Sequence, residues 1–276
     1  PFNIDNGFKQ GCILAPNEFA IYFAQVWRDW RKKVGHLGID FNYKMDGKLL
    51  QTAKRRGTNQ NIAVDLEFAD DQEIDTKSQA DLVESLTELD STFTKWGMKM
   101  SYKKTETLQC NLGHKSKPEN CVINGHPIKT VKDFRYLGSF ISANGEIDTE
   151  ISHRTSKASF IVSKLRRSVW HQKDLTIKTK MDVYRACVLR ALLHGSETWC
   201  TKKRHIEKLE AFHMRNLRTL LGIMYSDHVP NTVVRKKAGM RETIKVEIQE
   251  NRLRWLGHVE HGKHSASQAS LTWTTE

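Results

Sequence analysis

At 276 residues with 38% hydrophobic side chains, the chain can build one large core or two modest ones. No run approaches the roughly 18 apolar residues of a membrane span. Five scattered cysteines (Cys12, Cys110, Cys121, Cys187 and Cys200), an odd number, argue against a disulfide framework and suit a reducing compartment. The net charge of +12 is uneven: residues 1–110 hold 15 Lys and Arg against 16 Asp and Glu, a net of −1. Residues 111–276 hold 29 against 16, a net of +13. A basic body joined to a near-neutral one points to a polyanion partner, nucleic acid first, although solvated helix faces also carry such charge. The opening Pro1-Phe2-Asn3, with neither initiating Met nor leader pattern, reads as a fragment boundary.

In chain order, Phe19, Tyr22, Phe23, Val26, Trp27 and Trp30 predict a helix over 18–30 with one buried face, started by Pro16. Residues 31–60, polar and glycine-spaced, predict a short hairpin with loops. From Ile62 to Phe68 apolar residues alternate with Ala63, Asp65 and Glu67, the period of a half-buried strand. Ser78 and Asp81 resemble a capping box opening a helix through Leu82, Leu86, Leu89 and Phe93, stopped by Gly97. Short strands follow over 98–141, with turns at Asn124-Gly125 and Gly138.

Beyond Ile147 the pattern turns helical. One helix carries Ile151 to Val169, a second runs from Leu175 to Gly195, a third from Ile206 to Gly222, and a fourth from Thr243 to Leu256. The shift in charge and period near residues 142–147 predicts a domain boundary. The divisions are thus 1–144, a basic helical region 145–262 and a frayed tail 263–276, of class α+β.

Asp70–Asp71 close the alternating strand, where a hairpin turn would present them. Adjacent carboxylates repel unless a cation compensates, which a surface turn leaves to solvent and a metal site to divalent ions. Such ions can activate a 3′-hydroxyl and stabilise leaving pyrophosphate.

The order of motifs resembles the reverse transcriptases of LINE-type, non-LTR retrotransposons. Gly7-Phe8-Lys9-Gln10-Gly11 through Pro16 is similar to their Gln-Gly motif, and Phe68-Ala69-Asp70-Asp71 to their aromatic-Ala-Asp-Asp metal motif. Trp96-Gly97-Met98-Lys99-Met100 with Lys103-Lys104-Thr105 resembles the motif that follows, and Phe134-Arg135-Tyr136-Leu137-Gly138-Ser139 the primer-grip hairpin. The segments 194–199, 217–223 and 254–259 resemble the downstream region of such elements. The resemblance implies part of a right-hand polymerase palm followed by a thumb, acting on RNA template, DNA primer, RNA–DNA duplex and dNTPs with Mg2+. It implies Asp70 and Asp71 as metal ligands, Asp70 the more direct. Gln10 and Gly11 would stand near nucleotide and template, and Lys104, or its neighbour Lys103, would assist the leaving pyrophosphate. Action in the nucleus follows, with the cytoplasm as alternative and no membrane.

Three departures bear on activity. The family's further metal aspartate stands upstream of the Gln-Gly motif, and Asp5 is too close to match it, so this stretch alone is expected to polymerise poorly. Gln72-Glu73-Ile74-Asp75 replaces an apolar strand, and Ser101 an Asn. The competing expectation is a non-enzymatic nucleic-acid-binding remnant. Cys187, His194, Cys200 and His205 match no zinc spacing. Trp170, Tyr184, Trp199 and Trp255 could stack on bases, but their helical spacing favours the core for most of them.

Overall fold

The computed structural model describes residues 12–44, 58–69, 71–110, 120–240 and 242–261. Gln10, Gly11, Asp70 and the tail 263–276 lie outside the described residues. The chain is mixed helix and sheet, class α+β, and divides between Leu137 and Gly138 into two compact units.

In the first unit, helix α1 (Ala15–Val34) carries Pro16 in its first turn, where a missing N–H costs nothing. Phe23, Val26, Trp27, Trp30 and Val34 form its buried stripe. Helix α2 (Gln79–Lys95) starts where the Ser78 hydroxyl accepts the Asp81 N–H at 3.1 Å, and ends before Gly97 at φ 72°. Its Leu86, Leu89 and Phe93 meet α1, and the Trp30 indole donates to the Ser85 carbonyl at 3.0 Å. Cys121, Ile123 and Ile128 complete this core.

The strands form small, mostly antiparallel sheets, as the α+β class expects. Strands β1 (Ile39–Lys44) and β2 (Thr58–Ala63) pair antiparallel, with Ile39 opposite Ala63. Strands β3 (Asp65–Phe68) and β4 (Asp71–Ile74) form a second hairpin. Strand β7 (His126–Val131) lies between β5 (Glu106–Leu108), parallel to it, and β6 (Cys121–Ile123), antiparallel. Asn124 at φ 49° and Gly125 at φ 80° make the β6–β7 turn, the left-handed pair a two-residue hairpin prefers. The stretch 109–120 supplies the chain length that a parallel pairing needs. Strand β8 (Asp133–Tyr136) closes the unit.

Two expectations are corrected here. The strand expected over 62–68 breaks at Val64 into β2 and β3, and Leu66 and Phe68 are 51% and 62% exposed rather than buried. Alternation fixes which side chains share a face, but β3 has one partner strand and no cover over that face among the described residues. The charged stretch after the aspartate pair nevertheless folds as β4, because backbone pairing with β3 tolerates polar side chains on a half-covered hairpin.

The second unit begins with strand β9 (Ser139–Ser142) and is otherwise helical. Helix α3 (Asp148–Lys164) passes into a π-helical turn over Arg166–Trp170. Helix α4 (Ile177–Val183), capped by Thr176, widens into a π-helical stretch at Tyr184–Leu189 before α5 (Arg190–Leu192). Helix α6 (Lys203–Leu221) stops at Gly222 in the left-handed conformation. Two shorter elements follow, α7 (Asn231–Ala238) and α8 (Ile244–His261). Helix α7 was not expected from periodicity, and α8 runs past the expected end at Leu256. No helix among the described residues is long and apolar enough to cross a membrane.

Ile151, Ala158, Val188, Leu192, Leu209, Leu217, Val234 and Ile248 form the core of this unit. Polar contacts link its helices. The Glu210 carboxylate takes the Arg235 guanidinium at 2.9 Å and the Ile244 N–H at 2.8 Å, joining α6, α7 and the start of α8. Beside it the Tyr184 hydroxyl and His213 Nδ1 are 3.0 Å apart. Burial, aided by Arg235, depresses the His213 imidazole to about 4, so it is neutral at pH 7.

Candidate active site

Hairpin β3–β4 presents the carboxylates that sequence singled out. Asp65 pairs with Ile74 and Phe68 with Asp71, and Ala69 turns out of β3. Ala69 takes φ 54°, a left-handed conformation that costs a residue with a Cβ roughly 1–2 kcal/mol. Such strain is tolerated where a turn must present particular groups.

Register then sorts the charges by face. Asp65 and Glu67 share one face with Gln72 and Ile74, while Asp71 and Glu73 share the other with Leu66 and Phe68. Arg31 of α1 binds Asp65 at 2.6 Å and also pairs with Glu67. Asp71 is exposed, and its carboxylate makes no hydrogen bond or ion pair among the described residues. Glu73 is held above its ordinary range by burial and by Asp75, and Asp75 by burial and by Asp65. Arg31 therefore serves the Asp65–Glu67 face, while no ion pair neutralises Asp71 or Glu73 on the other face among the described residues.

Tyr136, from the Phe134–Ser139 motif, donates its hydroxyl to the Leu66 carbonyl at 3.2 Å across 70 residues of sequence. Burial, with Glu73, Asp71, Glu67 and Asp65 nearby, pushes this phenol above its ordinary range. Burial, Asp75 and Glu73 do the same to the Cys110 thiol beyond β5. The hairpin is thus flanked by the primer-grip-like segment and by the end of β5. Sequence did not reveal Arg31 as its countercharge, because a helical arginine 34 residues before Asp65 leaves no local signature.

Lys104 is exposed in the turn Tyr102–Lys104, with its N–H on the Ser101 carbonyl at 2.9 Å. No hydrogen bond or ion pair joins Lys103 or Lys104 to Asp71 among the described residues.

Glu67 gives the site a pH signature. Burial first, then Asp65, outweigh Arg31 and raise its carboxyl to about 7. The folded chain keeps this proton where the unfolded chain releases it near 4.5. That contribution to stability is present below about 4.5 and lost as pH rises through about 7. Thermal melting should therefore fall between pH 5 and pH 8. Glu67→Gln should flatten this dependence and melt higher than the parent at pH 8. An unchanged slope would show that Glu67 does not titrate in this window.

A second cluster was invisible in the sequence. Glu146, Asp148 and His205 bring ligand atoms within 4.8 Å of one another. Lys202 and Arg204 already pair with Glu146, Arg204 also holds Asp148 at 2.6 Å, and the hydrogen bond from Lys202 keeps Glu146 below its ordinary range. Two resident cations make this an ion-pair network tying α6 to the start of α3. Cys187 and Cys200 are free and exposed and join no such group.

Residues 1–141 match the reverse transcriptase (RNA-dependent DNA polymerase) family. An uncharacterized transposon-derived protein of Caenorhabditis elegans is 27% identical over 219 residues, 76% of this chain and 74% of that protein. No solved structure matches. With the family match spanning more than half of its length, and a carboxylate hairpin flanked by the motifs that accompany it, the chain belongs to the reverse transcriptase family.

Proposed function

We propose that the chain is the C-terminal part of the reverse transcriptase of a LINE-type, non-LTR retrotransposon. That reverse transcriptase copies an RNA template onto a DNA primer from dNTPs, in the nucleus, whereas this stretch by itself polymerises poorly. Residues 1–144 are part of the palm, 145–262 the thumb and downstream nucleic-acid-binding region, and 263–276 a tail. The observation that carries the reading is the Tyr136–Leu66 contact, which sets the primer-grip-like segment against the hairpin of the aspartate pair. The transposon-derived relative supports the element class.

Asp70 and Asp71 would hold Mg2+, and the Asp71 face of the β3–β4 hairpin meets no arginine among the described residues. The bound ions supply the charge stabilisation that phosphoryl transfer needs. Lys104, or Lys103, offers a cation and a proton to the leaving pyrophosphate once template and nucleotide are in place. Gln10 and Gly11 shape the nucleotide pocket. The test is primer extension on an RNA template by the chain with an upstream aspartate-bearing segment supplied, against its Asp70→Asn variant.

The net of +13 over residues 111–276 favours a second reading, a non-enzymatic nucleic-acid-binding remnant. Its signature is counterion release: with about six phosphates neutralised, affinity for an RNA–DNA duplex should drop about a thousandfold from ~50 to ~200 mM salt. That slope together with no extension by the restored chain would favour the remnant. A salt-independent affinity would remove it.

A further inference from the structure

Of the four aromatics that could stack on bases, Trp170, Tyr184 and Trp199 are buried, each 8% exposed or less. Trp255 is 47% exposed. It stands on α8 at the rim of an open cleft of about 650 Å³ within the second unit, inside the roughly 300–1,000 Å³ of small-ligand clefts. Arg185, Arg190 and Arg254 line the same cleft.

These arginines differ in what already occupies them. Arg185 donates to the Gly239 carbonyl at 2.6 Å, closing the end of α7. The Arg254 side chain is 68% exposed and pairs with Glu250 at 3.4 Å. Arg190 is exposed, and its guanidinium makes no hydrogen bond or ion pair among the described residues. A guanidinium without a partner at a cleft wall can meet a phosphate bidentately.

The remaining wall supplies acceptors. Asn251 spends its amide N–H on the Ser196 hydroxyl at 2.8 Å, which leaves its carbonyl oxygen as an acceptor. Glu197 and Glu247 add carboxylates. The His258 ring lies tilted against Trp255, centroids 5.4 Å apart, and braces the indole. A ligand matching this set carries an anion for the guanidinium, a flat face for the indole and N–H donors for Asn251 and the carboxylates. A nucleotide with an unpaired base has all three, whereas a paired base has its face covered and its donors spent. An acidic peptide meets the arginines but brings no flat face for the indole.

We propose that this cleft binds a single-stranded polynucleotide, stacking one unpaired base on Trp255 and seating its phosphate on Arg190 and Arg254. The site lies outside the residues that match the reverse transcriptase family, and it requires no polymerase activity.

The test is fluorescence anisotropy with the whole chain, using labelled oligo(rU), oligo(dT) and a blunt RNA–DNA duplex, with circular dichroism to verify folding. Trp255→Ala should weaken single-strand binding about tenfold or more, the range of one lost base stack, while Trp255→Phe retains most of it. Arg190→Glu should weaken the strand more than Lys178→Glu, which changes the same charge outside the cleft. Duplex affinity should move little in the Trp255 variants. Equal rU and dT affinities identify a sugar-indifferent stack, and an rU preference assigns the strand as RNA. The proposal is overturned if Trp255→Ala is silent, if strand and duplex weaken alike, or if polyglutamate displaces the strand as readily as unlabelled oligonucleotide. Trp255-dependent strand binding, with no primer extension by the chain once its upstream aspartate-bearing segment is supplied, would leave this site standing and remove the polymerase reading. Extension with silent Trp255→Ala would do the reverse.

Discussion

Asp70→Asn, made in the chain with its upstream segment supplied, should lower primer extension by on the order of 10³, with template–primer binding nearly unchanged. The expectation comes from charge. Asn is isosteric with Asp but removes one anionic ligand from a hard-cation site, and metal-borne stabilisation of a phosphoryl transition state is worth several kcal/mol. At about 1.4 kcal/mol per tenfold, roughly 4 kcal/mol gives this loss, which should appear in kcat more than in KM. Asp71→Asn should cost less, because the resemblance makes Asp70 the more direct ligand. Lys104→Ala should cost about 10²–10⁴ if it is the proton donor. A silent Lys104→Ala with a damaging Lys103→Ala would assign the role to the neighbour. Asp70→Asn extending primers as well as the parent would end the metal reading of the hairpin.

Much of the architecture was legible because it is set locally. The 3.6-residue spacing from Phe23 to Trp30, the Ser78 cap, the Asn124-Gly125 turn and the left-handed Gly222 each depend on residues within one or two turns of chain. The end of β3 at Phe68 was legible for the same reason, since its alternation is contiguous in sequence. What escaped is non-local or weakly patterned. The break at Val64 and the exposure of Leu66 and Phe68 depend on which surfaces cover β3, and alternation does not encode that. Helix α7 holds only Val234 and Ala238 as its buried residues, too few to give a period. The charged β4, which looked unfit as a strand, is accepted because its hairpin is half open to solvent. At the site, Arg31 and Tyr136 reach the hairpin across 34 and 70 residues, so pairing of this kind had to come from the fold.

The same distinction sets the stability prediction. Glu150 and Arg154 look like an ordinary helical pair four residues apart, yet they are 2% and 3% exposed. Their contact is 2.6 Å, and each charge has a second task. Glu150 accepts the Phe140 N–H at 2.9 Å, while Arg154 donates to the Gly138 carbonyl at 2.8 Å and the Ser139 hydroxyl at 3.0 Å. The pair thereby fixes the start of the second unit, β9, to α3. Removing one partner strands the other charge away from water, so Arg154→Met should destabilise by about 3–5 kcal/mol. For a unit of this size that means a melting temperature lower by roughly 10 °C or more. Arg154→Lys should recover only part, since an ammonium cannot reproduce the guanidinium fork. Glu150→Leu with Arg154→Met removes both charges together. The double variant loses the bonds to Phe140 and Gly138, about 1–3 kcal/mol each, but strands no ion. It should therefore be more stable than the sum of the two single losses predicts, with a coupling of up to about 3 kcal/mol in the double-mutant cycle. Simple additivity in urea or thermal unfolding would mean that the pair is solvated in solution. A double variant less stable than that sum would mean that the backbone groups, rather than the buried charges, dominate the clamp.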